Sequence, residues 1–97
     1  MGPKELAGSF FRACAEENWD EVLKFWGTSQ IDDRIKGYLG GLTIISIGEP
    51  FQSKGYARGL GWFVPYKIRF KSGEIKKFNL AIRKDNPAKR FVVDGGL

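Results

Sequence analysis

The chain contains no histidine. Imidazole is the side chain that most readily moves protons near neutral pH, and it is the commonest metal ligand. Its absence removes every mechanism built on a histidine base, including any Cys–His pair. There is one cysteine, Cys14, so an internal disulfide is excluded, and a partnerless thiol fits a reducing compartment. No apolar run approaches the ~20 residues of a membrane-spanning helix. No basic stretch followed by an apolar one marks an export signal. The expectation is a cytoplasmic protein with no membrane association. The segment Gly55-x-x-x-Gly59-x-Gly61 is not a phosphate loop, because no Lys-Ser/Thr follows and no helix begins there. No cofactor and no metal are expected.

What the chain does have is aromatic bulk. Its 97 residues include 8 Phe, 3 Trp and 3 Tyr, which makes one modest core feasible in a single domain spanning 1–97. The formal charge of +5 permits an anionic partner. Solubility alone explains a charge of this size, and no RNP, helix-turn-helix or zinc-finger pattern accompanies it.

The first part of the chain reads as helix. Pro3 suits a first turn. Leu6, Phe10, Ala13 and Cys14, broadened by Ala7 and Phe11, form one helical stripe. Asn18 followed by Glu21 has capping-box spacing. A short second helix then carries Val22, Leu23, Phe25 and Trp26 and stops at Gly27. Ser29, with Asp32 three residues on, predicts a third helix start. Ile31, Ile35, Tyr38 and Leu39 give its stripe, and Gly40-Gly41 its end.

From Leu42 the pattern changes to strands. Leu42–Ile47 is rich in β-branched residues. Gly48 and Pro50 predict a bend or bulge, with Phe51-Gln52 resuming the strand. Trp62 to Leu97 then reads as three strands. A three-residue turn Lys71-Ser72-Gly73, with Gly73 left-handed, sets Phe70 against Glu74. It pairs Tyr66 with Phe78, Val64 with Leu80, and Trp62 with Ile82. The other face pairs Lys67 with Lys77, Pro65 with Asn79, and Phe63 with Ala81. The register predicts that Phe78, Leu80, Ile82, Phe91 and Val93 join Phe10, Phe25 and Trp26 in the core. Helices followed by an antiparallel meander give an α+β domain, with three N-terminal helices packed on a strongly bent four-stranded antiparallel sheet.

This layout resembles the nuclear transport factor two-like, or cystatin-like, superfamily. The segment Asn18-Trp19-Asp20-Glu21 is similar to a polar–Trp–Asp stretch in its small bacterial members. The closing Arg90-Phe91-Val92-Val93-Asp94-Gly95-Gly96 resembles their final strand. The resemblance implies a cone between sheet and helices. Enzymes of the superfamily place Asp, His, Tyr or Arg inside that cone, whereas other members are transport adaptors or binding modules, so fold alone does not select a function.

Candidate pocket residues are Tyr56, Arg58, Trp62, Tyr66 and Asp94. Tyr56 and Arg58 precede the sheet where a cone mouth would lie. Trp62 and Tyr66 sit on the apolar face with an N–H and an O–H to offer a small apolar ligand. A carboxylate at Asp94 within such a cone could act as a base, although alternation with Val93 turns it outward. Phe63, Pro65, Ile75 and Ala81 share the outer face with Lys67, Arg69, Lys77 and Arg83. An apolar set left on a sheet face marks an interface, here a homodimer. The basic residues there could hold a nucleic acid, but with Phe63 the only aromatic among them, this reading is disfavoured. The leading expectation is a non-catalytic small-ligand-binding or protein-interaction module. A minimal lyase or isomerase using Asp94 and Tyr66 is the alternative.

Overall fold

The computed structural model describes residues 2–26, 30–52, 61–84 and 90–97. The element order is three helices and then four strands: α1 Pro3–Ala15, α2 Trp19–Phe25, α3 Asp33–Leu39, β1 Thr43–Ile47, β2 Gly61–Arg69, β3 Ile75–Arg83 and β4 Val92–Gly95. The strands form one open antiparallel sheet in the order β1-β2-β3-β4. This is the α+β arrangement expected from the pattern.

Local chemistry sets the helix ends. The Asn18 side chain accepts from Glu21 N and opens α2. α3 begins three residues later than a cap at Ser29 predicts. Asp32 is its N-cap, accepting from Ile35 N at 2.9 Å, and Ser29 lies outside the described residues. A carboxylate caps as well as a hydroxyl does and also favours the positive end of the helix dipole. Gly27, the expected stop of α2, is likewise outside the described residues; Trp26 is the C-cap and makes a parallel bridge to Val93.

The β2–β3 hairpin has the expected register at every pair, from Trp62 with Ile82 to Lys67 with Lys77. Phe70 N donates to Glu74 O at 2.8 Å, Gly73 N donates to Phe70 O at 2.8 Å, and Gly73 takes φ 95°. That left-handed turn residue is what the hairpin needs at this position. The β1 irregularity is different from expectation. The register shifts between Ile44 and Ser46, so the bulge falls at Ile45, before Gly48 and Pro50. Beyond them, Phe51 makes only an isolated bridge to Phe63.

α1 lies over β1 and β2. It buries Leu6, Ala7, Phe10, Phe11, Ala13 and Cys14 against Val64, Tyr66, Ile68, Leu80, Ile82 and Val93. Phe10 stacks on Trp26 at 5.6 Å, and Phe11 meets Tyr66 at 4.7 Å between ring centroids. The expected core holds for Leu80, Ile82 and Val93, with Phe25, Trp26 and Phe91 packed partly buried against it. It fails for Phe78, which is 54% exposed. Phe78 faces the correct way, opposite Tyr66. Phe11 covers Tyr66, whereas Phe78, one strand further out, lies beyond that cover.

Candidate functional site

Of the three candidate pocket residues that are described, Asp94 does not join Trp62 and Tyr66. Tyr56 and Arg58 lie outside the described residues. Tyr66 is 2% exposed, and its hydroxyl donates to the Gly96 carbonyl at 2.6 Å. Trp62 packs half-buried against the same core. Asp94 engages Arg83 instead: Arg83 Nε donates to Asp94 Oδ1 at 3.0 Å, with both side chains largely buried. Arg83 follows the inward Ile82 and so belongs to the helix-free side of the sheet, which is where the bulged β4 delivers Asp94. Asp94 and Tyr66 therefore serve different partners on different sides of the sheet.

Burial pushes the Tyr66 phenol up to about 12, with the neighbouring Tyr38 adding to the effect. Such a phenol stays protonated across the physiological range and acts here as a hydrogen-bond donor. Burial also raises the Cys14 thiol to about 12. A buried, protonated thiol is a poor nucleophile. Among the described residues no group of three His, Cys, Asp or Glu side chains could hold a metal ion. No helix of the described chain is long and apolar enough to cross a membrane.

The helix-free face carries a different arrangement. Phe51 stacks on Phe63 at 5.6 Å between centroids. Phe51 is 44% exposed and Ile75 48%. Pro65 is half-buried and closes over Gly48, where an added Cβ would meet the proline ring at 3.1 Å. Ala81, placed in the same patch by the register, is already 8% exposed within the chain and contributes little surface. Lys67 and Lys77 oppose each other across β2 and β3 on this side.

Shallow grooves lie elsewhere among the described residues, one of them along α3 beside Ile35 and Tyr38. A second runs between the start of α1 and Ile47 with Pro50. A third has Leu6, Phe25 and Phe91 on its floor, with Lys24, Lys84 and Arg90 at its rim. This last was not legible as a site, because its residues come from chain segments far apart in sequence. None of these grooves is lined by Trp62, Tyr66 or Asp94. Comparison with known proteins adds no relative: no family model, no curated protein and no solved structure matches the chain.

Proposed function

We propose that this chain is a non-catalytic interaction module that pairs with a second copy of itself through the helix-free face of its sheet. The observation that carries this reading is the exposed apolar set of Phe51 and Ile75, with half-buried Phe63 and Pro65, on the face that none of the described helices covers. Large apolar groups grouped on one surface are costly to leave in water. A twofold contact needs only one self-complementary patch. The resemblance to nuclear transport factor two-like domains supports a face-to-face pairing of this kind. In the ladder Lys67 and Lys77 stand between Pro65 and Ile75, and in the contact their stems cover apolar surface while their charged ends reach out to solvent. A stable pair buries at least about 1,000 Å² in total.

The test is the solution mass. Light scattering at micromolar concentration should give twice the 10.9 kDa of one chain. Phe51→Asp places a charge in the patch, beside Phe63, without touching the core, and should return the protein to monomer. A wild-type mass that stays monomeric at high concentration and moderate salt rejects the pairing.

A further inference from the structure

The half of β3 that begins the strand is an open edge. β4 pairs only with Ala81, Ile82 and Arg83. Among the described residues nothing pairs with Ile75–Phe78 on that side. The direction of the free backbone groups follows from the ladder. Phe70 and Glu74 form the closing hydrogen-bonded pair of the hairpin, so Lys76 and Phe78 bond toward β2, while Ile75 and Lys77 direct their N–H and C=O outward. The strand's other end agrees, since a Cβ built on Gly96 would collide with the Asn79 carbonyl and approach Ala81 N at 3.0 Å. The odd-numbered residues of β3 thus face the β4 side along the whole strand.

Beside this edge lies an aromatic floor on the helix-bearing side. Phe78 is 54% exposed and Tyr38 44%. The Lys76 ammonium stands over both rings, at 5.8 Å from Phe78 and 6.0 Å from Tyr38. Tyr38 in turn rests on Phe70, with centroids 4.5 Å apart. The surrounding charge has one sign. Between Tyr66 and Leu80 the hairpin carries Lys67, Arg69, Lys71, Lys76 and Lys77 against Glu74 alone.

We propose that this edge binds an extended acidic peptide segment by strand addition, with Ile75 and Lys77 supplying the main-chain hydrogen bonds and Phe78 with Tyr38 seating one apolar side chain. Strand addition draws affinity from backbone pairing and specificity from pockets for alternate side chains. The lysines choose the occupant. An antiparallel pairing of two copies centred on Ile75–Phe78 would set lysine against lysine, and directly opposed like charges destabilise a ladder. Lysines on an edge also protect it from indiscriminate pairing. An incoming strand with carboxylates at alternate positions converts the same residues from a barrier into cross-strand partners. The aromatic floor is separate from the proposed pairing face, since Phe78, Lys76 and Tyr38 lie on the opposite side of the sheet; Ile75 and Lys77 belong to both, lending their backbone to the edge and their side chains to the face.

The probe is a labelled nine-residue peptide with Glu at every second position and Val or Tyr between, followed by fluorescence anisotropy at low salt. The expected result is saturable binding that weakens as salt rises, because screening shortens to a Debye length of about 10 Å at 0.1 M. The Ile75 and Lys77 amides should gain hydrogen-exchange protection. Lys77→Pro removes one outward N–H while leaving the ladder to β2 intact, and should weaken binding by about tenfold or more. Lys76→Glu leaves the backbone untouched and should also weaken it, while a peptide with Lys in place of Glu should fail to bind. Two results overturn the proposal. One is peptide binding with no protection of the Ile75 and Lys77 amides. The other is tight binding of an oligothymidylate of about 15 nucleotides that is lost in Phe78→Ala and kept in Lys77→Pro, the signature of base stacking. Phe51→Asp should leave peptide binding intact, which separates this site from self-association.

Discussion

Phe10→Ala should destabilise the domain by about 3–5 kcal/mol, the usual cost of emptying a buried phenylalanine site. Phe10 is fully buried and sits between two other rings, edge-on to Phe11 at 5.3 Å and stacked on Trp26 at 5.6 Å. Its removal loosens both α1 and the junction through which Trp26 reaches β4 by its bridge to Val93. Domains of this size are stable by about 5–15 kcal/mol in total, so one substitution removes a large share. The midpoint temperature should drop by roughly 4–8 °C per kcal/mol lost. Phe78→Ala is the internal control. The same atoms are deleted from a ring that is 54% exposed, and the expected loss is below about 1 kcal/mol. Urea titration of the two variants checks both numbers. Equal losses would mean that the helices cover β3 further than described.

The second large effect is alkaline. Tyr66 and Cys14 have ordinary values of 10.0 and 9.0, and burial lifts each to about 12 in the folded chain. The folded state therefore holds two protons that the unfolded chain releases in that interval. Stability from this source is fully present below about pH 9 and is lost as pH climbs toward 12. At 1.36 kcal/mol per pH unit, each group accounts for on the order of 2–4 kcal/mol. The urea midpoint should fall steeply above pH 9, first through Cys14 and then through Tyr66. Tyr66→Phe should lose about 1 kcal/mol at pH 7, where the bond to Gly96 disappears, yet flatten the decline above pH 10. Cys14→Ala should delay its onset. A midpoint constant from pH 8 to 11 would contradict the burial of both groups.

The sequence made the β2–β3 hairpin legible down to each pair because its two faces differ in polarity and Gly73 admits one turn. A one-residue slip of β3 against β2 would have turned Leu80 and Ile82 to the face opposite Val64. The helices were equally open to reading where a stripe or a cap existed, as on α1 and at Asn18. Coverage was not legible. Alternation says which side Phe78 faces, but how far α1 extends across that side depends on tertiary packing. The bulge at Ile45 escaped for a related reason: Gly48 and Pro50 are the local breakers, whereas the register shift is imposed by pairing with β2. Of the expected site, Trp62 and Tyr66 were placed on the correct face, where Tyr66 is buried in the core and Trp62 packs half-buried against it. Asp94 was drawn to Arg83, a partner eleven residues away that no local motif announces. The apolar outer face was readable in Phe63, Pro65 and Ile75, whereas the contribution of Phe51 required its bridge across the sheet.

The end of α1 is a junction rather than a stop. Asn18 N bonds back to Ala13 O and Glu17 N to Cys14 O, the two bonds of a Schellman close, with Glu17 in the left-handed region at φ 56° where glycine is usual. Asn18 then caps α2 with its side chain, and Gly41 N, beyond the end of α3, also donates to Cys14 O at 3.3 Å. One turn of backbone thus terminates the first helix, initiates the second and receives the chain leaving the third. This turn ties the three helices together. Opening α2 or α3 removes partners from the turn that closes α1, so their amides should exchange in concert, and the strain held at Glu17 is a fixed cost of keeping three short helices as one cooperative unit.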